Sequence, residues 1–310
     1  MLPWERLRVF AAVAEHGSVA AAAAALHVTG PAVTQQIRKL EREAGAPLVE
    51  PDGRGVRLTA AGWITAQAAW RVAAVVGEAE RALSGLDGRA TGPLRIGALN
   101  SSFALLLGPA LRLLAERHPE VVPSTRSGEA VDLLPRLGHR ELDAVLVESW
   151  STLPLRVPAR IRLEPLVTHD VVLAVSANHP FADRTTLPLD MVRDDVWTAC
   201  RPGTDSHDAQ LQAMRRHGIE ARVQHVVDDF PTQMTLVAAG VAVTLAPRPA
   251  VRGFPGVRLI PVVPAVDRTI AVATREDPTP AVQVFAELLR EVAAGRAGDA
   301  EPEAPADEPG

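Results

Sequence analysis

The run Ser18-Val19-Ala20-Ala21-Ala22-Ala23-Ala24-Ala25-Leu26-His27-Val28-Thr29-Gly30-Pro31-Ala32-Val33-Thr34-Gln35-Gln36-Ile37-Arg38-Lys39-Leu40 decides how the chain begins to fold. Ser18 suits the cap of a helix whose Val19, Ala22, Ala23 and Leu26 share one side. The pattern breaks at His27-Val28-Thr29-Gly30-Pro31, and Pro31 fits a first helical turn, where a backbone N–H would have no partner anyway. A second helix follows at once. Its Val33, Ile37, Leu40 and Ala44 form one apolar stripe, Thr34, Gln35, Arg38 and Arg42 lie on other faces, and Gly45 ends it. Two short helices about a tight turn, the second carrying polar side chains on its N-terminal half, have the shape that enters a DNA major groove.

Upstream, Trp4, Leu7, Phe10 and Val13 recur every three residues after Pro3, which predicts an amphipathic helix ending near His16-Gly17. Downstream, Leu48-Val49-Glu50 and Val56-Arg57-Leu58 flank Pro51-Asp52-Gly53-Arg54-Gly55, a hairpin that reads as a wing with an arginine at its tip. Thr59 then caps a long helix whose Ile64, Ala68, Val72, Val75, Val76, Ala79 and Leu83 need a partner to cover them, so the chain is expected to dimerise.

The chain has 310 residues, enough for two or three domains with cores of their own. The apolar 47% lies in short runs, none near the roughly 20 residues that span a bilayer. Met1-Leu2-Pro3-Trp4-Glu5-Arg6 does not resemble a secretory signal, so a cytoplasmic location and no membrane partner are expected. Cys200 is the single cysteine and the nine histidines show no ligand spacing, so neither metal nor cofactor is expected. The net charge of −5 comes mostly from the stretch that begins at Arg296, where Asp299, Glu301, Glu303, Asp307 and Glu308 face that one arginine. DNA contact must therefore come from local charge. Lys39 is the sole lysine.

Composition divides the remainder. Residues 1–62 read as a winged helix-turn-helix, 59–88 as a linker and dimerisation helix, 92–295 as an α/β domain, and 296–310 as a disordered acidic, proline-rich tail. In the α/β domain, strands such as Leu94-Arg95-Ile96-Gly97, Ala144-Val145-Leu146-Val147 and Val171 to Val175 alternate with helical stretches. Asn100-Ser101-Ser102 follow the first strand, and Phe103 to His118 carries a helical pattern, so two hydroxyls gather where a carboxylate or phosphate would be welcome.

These residues resemble the LysR-type transcriptional regulators. Leu7-Arg8-x-Phe10, Ala14-Glu15-x-Gly17-Ser18, Ala22-Ala23-x-x-Leu26, Pro31 to Ile37, Leu40-Glu41, Gly45-x-Pro47-Leu48 and Leu58-Thr59-x-x-Gly62 stand in that family's order and spacing. The likeness continues through Leu94 to Gly97, Leu142-Asp143-Ala144-Val145, His179-Pro180-Phe181-Ala182 and Val237 to Val241. Three positions depart from the pattern: Thr29-Gly30 replaces the usual Ser-Gln, Leu48-Val49-Glu50-Pro51 replaces Leu-Phe-x-Arg, and Gly240-Val241-Ala242 replaces Gly-x-Gly. The resemblance implies a two-subdomain effector domain like that of periplasmic solute-binding proteins, with subdomain I over about 92–162 and 267–294 and subdomain II over about 163–266.

The expected DNA face comprises Thr29, Gly30, Pro31, Thr34, Gln35, Arg38, Lys39 and Arg54. Thr34 and Gln35 suit base edges, Arg38 and Lys39 phosphates, and Arg54 a narrowed minor groove. The partner is an operator with an inverted repeat, bound by a homodimer or homotetramer. For the effector, a small and possibly anionic molecule, Ser101 leads, with Ser102 beside it. The family pattern adds Gly128, Glu129, Trp150 as an apolar wall, Cys200, Arg201 as a charge, and Phe230. A redox role for Cys200 lacks a resolving cysteine. Asp143 reads as structural. An exported solute-binding protein would not carry the preceding 90 residues. An enzyme lacks support, because no nucleophile elbow, phosphate loop or dinucleotide motif is present and Asp194-Asp195 and Asp228-Asp229 are adjacent pairs that would point apart.

Overall fold

The computed structural model describes residues 2–53, 55–84 and 89–297. They form two compact units, one over Met1–Leu83 and one that takes Ser84–Gly138 and continues from Leu142.

In the first unit α1 (Trp4–His16) buries Leu7, Phe10, Ala11 and Val13, and stops where Gly17 turns to φ 64° and its N–H bonds the Val13 carbonyl. Helix α2 (Val19–Ala25) is capped by Ser18, whose hydroxyl accepts from the Ala21 N–H at 3.1 Å. Helix α3 (Gly30–Ala44) is capped by Thr29 and buries Val33, Ile37 and Leu40. Ala44, expected on the same stripe, is exposed. Helix α3 ends there, and Leu48 from the following segment completes that side of the core with no exposure at all.

Strands β1 (Val49–Asp52) and β2 (Gly55–Leu58) pair antiparallel, with Val49 opposite Leu58. Glu41 of α3 holds this hairpin, its Oε1 accepting from the Leu48 N–H at 2.9 Å and the Val49 N–H at 3.4 Å. Helix α4 (Ala60–Ser84) begins under Thr59, whose hydroxyl accepts from the Gly62 N–H at 3.0 Å and donates to the Pro47 carbonyl at 2.7 Å. Gly62 is needed because a Cβ there would sit 2.0 Å from the Leu48 carbonyl oxygen. The α4 residues Thr65, Ala66 and Ala69 face the core, while Ile64 is 70% and Val75 57% exposed. Of the expected stripe Ile64, Val72 and Val75 are exposed and Ala68 and Val76 half-buried, while the side chains of Ala79 and Leu83 lie outside the described residues.

The second unit is organised by one mixed sheet whose strands lie in the order β10 (Thr244–Pro247), β6 (Ile161–Ser176), β11 (Val257–Arg275), β5 (Ala144–Trp150), β3 (Gly92–Ala98) and β4 (Val121–Ser127), with the short β7 (Leu187–Pro188) parallel to β11 off this path. Strand β3 (Gly92–Ala98) runs parallel to β4 (Val121–Ser127) and β5 (Ala144–Trp150). Strands β6 (Ile161–Ser176) and β11 (Val257–Arg275) are long and antiparallel, and pair from Ile161 opposite Arg275 to Ser176 opposite Val257, with the register shifting between Pro261 and Val266. Four apolar clusters pack on this sheet, and the two largest flank this pair as its main cores. One gathers Leu94, Ile96, Leu107, Leu114, Phe285 and Leu289, the other Trp150, Leu173, Trp197, Met214 and Ile260. Strands β8 (Val196–Ala199) and β9 (Arg222–Val226) form a separate parallel pair beside the second core.

The helix expected from Phe103 starts earlier, as α5 (Asn100–Ser102), widens to π-winding over Phe103–Leu107 and continues as α6 (Gly108–Arg117). The Gly108 N–H reaches back to the Phe103 carbonyl, and Pro109 contributes no N–H to the ladder. Asp143 is structural, its carboxylate accepting from the Arg95 backbone N–H at 2.9 Å and from the Arg95 guanidinium at 3.0 Å. Helix α7 (Ala130–Gly138) follows β4, α8 (Asp205–Arg215) follows β8, and α9 (Phe230–Ala238) follows β9. Strand β10 (Thr244–Pro247) leads into α10 (Arg248–Val251), and α11 (Pro280–Ala297) closes the described chain. Helix α11 runs past the expected start of the tail at 296. Residues 298–310, the turn-rich 85–88 and the wing-tip Arg54 lie outside the described residues. Among the described residues no helix is long and apolar enough to cross a membrane, and no cluster of metal-ligating side chains occurs.

Candidate functional site

Two surfaces collect the sequence-predicted residues. The first is the N-terminal half of α3. Thr29 accepts from the Ala32 N–H at 3.4 Å, Gly30 and Pro31 form the first turn, and Pro31 is exposed. Thr34 is half-buried and spends its proton on the Gly30 carbonyl at 3.1 Å, leaving its oxygen lone pairs as acceptors. Gln35 and Arg38 are exposed one turn apart, with Lys39 half-buried beside them. Neither Arg38 nor Lys39 forms an ion pair with any described residue. Unpaired cations near a row of amide and hydroxyl groups can meet phosphates without first breaking a salt bridge.

The second surface is a cavity of 260 Å³ between the two cores of the second unit. Leu99, Asn100, Ser101, Ala104 and Leu105 line it from the β3 end of the sheet and the helix that follows. Glu129 and Glu148 come from the ends of β4 and β5, and Cys200, Ser206, Asp228, Asp229 and Phe230 from the ends of β8 and β9 and the helices after them. These are the C-terminal ends of parallel strands, where open α/β sheets leave room for ligands.

Of the eight expected effector residues, Ser101, Glu129, Cys200 and Phe230 line this cavity. Four do not. Ser102 is fully buried, its hydroxyl donating to the Leu99 carbonyl at 2.7 Å. Trp150 is 1% exposed and belongs to the second core, so it is packing and not a wall. Gly128 packs its backbone against Leu133. Arg201 stands outside the lining, held by Asp228 at 3.1 Å and Asp132 at 3.6 Å. Asp228 and Asp229, expected to point apart, both line the cavity, although Asp228 takes Arg201 and Asp229 caps α9 by accepting from the Thr232 N–H at 2.7 Å.

Arg268 was not foreseen. It comes from β11, is 0% exposed, and its Nη1 donates to Ser101 Oγ at 2.9 Å and to Glu148 Oε2 at 3.2 Å. Its Nε and Nη2 are buried without a hydrogen bond, as are Trp150 Nε1 and His169 Nδ1. The three residues stand opposite one another on β6, β11 and β5. A charged residue at the start of the apolar Ile270-Ala271-Val272-Ala273 run, matched by a glutamate closing the Ala144-Val145-Leu146-Val147 run, is the sequence signal that would have found the pair.

Burial and the neighbouring Glu148 push the Glu129 carboxyl up to about 7, with Arg201 pulling the other way. Burial and Glu148 likewise raise Asp205 to about 6. Burial raises the Cys200 thiol to about 11, so it stays protonated near neutrality and is a poor nucleophile toward oxidants. Burial and Arg268 lower His169 to about 4.

Comparison with known proteins places these two surfaces in one lineage. A family model described as the LysR substrate binding domain matches residues 87–294, and one described as a bacterial regulatory helix-turn-helix protein of the lysR family matches residues 4–63. A probable hydrogen peroxide-inducible genes activator of Streptomyces viridosporus is 32% identical over 80% of this chain and 78% of its own. The DNA-binding transcriptional dual regulator OxyR of Escherichia coli is 29% identical over 87% of this chain and 88% of its own. The crystal structure of CbnR, a LysR family transcriptional regulator, superposes with a TM-score of 0.68 at 26% identity, covering 94% of this chain and 99% of that one. With both of its units matched, the chain belongs to the LysR family and is a DNA-binding transcriptional regulator with an effector-binding domain.

Proposed function

We propose that α3 reads an inverted-repeat operator, one half-site per subunit, in the cytoplasm. Thr29, Gly30 and Pro31 bring the helix into the major groove, Thr34 and Gln35 face base edges, and Arg38 and Lys39 hold phosphates. Arg54, at the wing tip, reaches the neighbouring minor groove. The apolar stripe of α4 pairs two chains, and the assembly is a homodimer or a pair of homodimers. The observation that carries this reading is the exposed, unpaired polar face of α3 directly after its Thr29 cap.

A small-molecule effector enters the cavity of the second unit, contacts Ser101, Glu129, Cys200 and Phe230, and biases the orientation of the two cores about β6 and β11. The lining is acidic, which weighs against the possibly anionic effector suggested by the two serine hydroxyls. The peroxide response named for the Streptomyces relative is not carried over, because Cys200 is a lone, buried and protonated thiol.

The test is footprinting on the DNA flanking the chain's own gene. Protection of two half-sites one helical turn or a multiple apart, lost on substituting Gln35, supports the reading. Protection without dyad symmetry overturns it.

A further inference from the structure

The cavity has an uneven chemistry. Its walls carry Glu129, Glu148, Asp228 and Asp229, and Asp205 lies close enough to Glu148 for the two to repel. Two arginines are nearby, and both are committed: Arg268 to Glu148 and Ser101, Arg201 to Asp228 and Asp132. Among the described residues the carboxylates of Glu129 and Asp205 accept no hydrogen bond and form no ion pair, Arg201 acting on Glu129 only from a distance, although both are more than half withdrawn from water. Withdrawing carboxylates from water without a counter-charge is costly, and a bound cation relieves that cost.

A second, independent observation lies behind the same wall. The Arg268 guanidinium is wholly buried, one hydrogen bond from two lining residues, and its Nε and Nη2 have no acceptor. Trp150 Nε1, opposite it in the sheet, has none either. Buried donors in this state are rare and call for an acceptor. Ser101 passes the same demand into the cavity: its oxygen already receives the Arg268 N–H, so its own proton is free to be donated to a ligand oxygen.

We propose that the effector is a small amino compound of amino-acid size, with an ammonium group, an acceptor oxygen and an apolar body. The ammonium sits among Glu129, Glu148 and Asp205. The acceptor oxygen takes the Ser101 proton, which Arg268 makes a stronger donor. The apolar body lies against Leu105, Phe230 and Pro249. This rests on the cavity being the effector site, and it adds the sign of the ligand's charge.

The experiment uses the full chain with matched probes at pH 8, where Glu129 and Asp205 are both ionised. L-leucine, L-leucinol and L-phenylalaninol carry the ammonium at this pH together with an oxygen, N-acetyl-L-leucinamide lacks the charge, and 4-methylpentanoate keeps the body but is an anion. Calorimetric titration and thermal shift should register at least one of the ammonium probes. The neutral and anionic probes should bind at least tenfold more weakly. Glu129→Gln and Asp205→Asn, which remove unpaired carboxylates and should fold at least as well as the parent, should each weaken the amine at least tenfold.

Silence from every ammonium probe overturns the inference, and so does an amine that binds the Glu129→Gln, Asp205→Asn double variant undiminished. If 4-methylpentanoate binds instead and Ser101→Ala abolishes it, the cavity remains the effector site and only the charge assignment falls. If a probe binds and no cavity substitution affects it, the effector-site reading falls as well.

Discussion

The proposed recognition face and the proposed effector cavity are built in opposite ways. The face is a single stretch, Thr29 to Lys39, on one capped helix, and its cations, the exposed Arg38 and half-buried Lys39, form no ion pair among the described residues. The cavity draws Ser101, Glu129, Glu148, Cys200 and Phe230 from the ends of separate strands, with Arg268 behind them from a strand more than a hundred residues away from Ser101. Its charges are mostly negative, and Glu129, Glu148 and Asp205 are drawn at least partly out of water and repel one another. A surface for a polyanion that is always the same needs exposed cations and little else. A cavity that must respond to one small molecule keeps its charges in an arrangement that binding can improve.

If that contrast is sound, the largest single effect belongs to the buried pair. Glu148→Ala leaves the Arg268 guanidinium hidden without its counter-charge, and should destabilise the protein by about 3–5 kcal/mol in urea unfolding. A loss below about 1 kcal/mol would mean that Arg268 finds water, and that the cavity is wetter than it looks.

Next in size is the α4 stripe. Val72→Glu puts a charge into the uncovered apolar surface, and should give a monomer by sedimentation with operator affinity reduced at least tenfold, since two half-sites no longer act together. A variant that stays dimeric and binds normally moves the interface elsewhere.

On the recognition face the effects are smaller and of two kinds. Gln35→Ala should cost about 1–3 kcal/mol on the operator and little on random DNA, because a base contact specifies. Arg38→Ala should weaken both and lower the salt dependence by about one unit, as loss of a phosphate contact does. Equal losses for Gln35→Ala on both DNAs would erase the distinction drawn between the two residues.

The smallest effect is in pH. Glu129, lifted to about 7 in the folded state, holds a proton there that the unfolded chain has already released. The folded state therefore binds more protons in this window, and stability falls as pH rises through about 7. Asp205, lifted to about 6, adds to the same trend at lower pH. His169, lowered to about 4, works the other way below its unfolded value, as the unfolded chain gains a proton that the folded one refuses. Between pH 8 and 7 the carboxyls dominate, because the unfolded His169 is still mostly neutral, so the melting temperature should rise on acidification, and Glu129→Gln should flatten that rise. An unchanged slope would place Glu129 in water.

Much of the first unit was legible because its signals are local. Ser18, Thr29 and Thr59 announce helix starts, Gly17 and Gly45 announce stops, and the register of Val33, Ile37 and Leu40 survives in the fold. The cavity was legible only in part. Ser101, Glu129, Cys200 and Phe230 follow from the motif order, while Trp150 was misread because an aromatic at the end of a strand can turn toward either the cavity or the core, and the core took it. Arg268 was invisible because its meaning depends on Glu148 and Ser101, which no sequence spacing connects to it. Ala44 shows the limit of periodicity itself: the stripe continues on paper for one turn after the helix has run out of core to cover.

The long pair β6 and β11 belongs to both cores of the second unit at once. Leu173, Val175 and Ile260 feed one, and Ile270 and Val272 feed the other, all on strands hydrogen-bonded to each other along most of their length. No cut in the chain separates the cores without stripping a strand of its ladder. On heating, the effector domain should therefore melt in a single step, and a ligand that protects either half should raise the melting point of the whole domain. Screening by melting temperature would then detect an effector wherever in the domain it docks, and half-domains made by truncation should be insoluble.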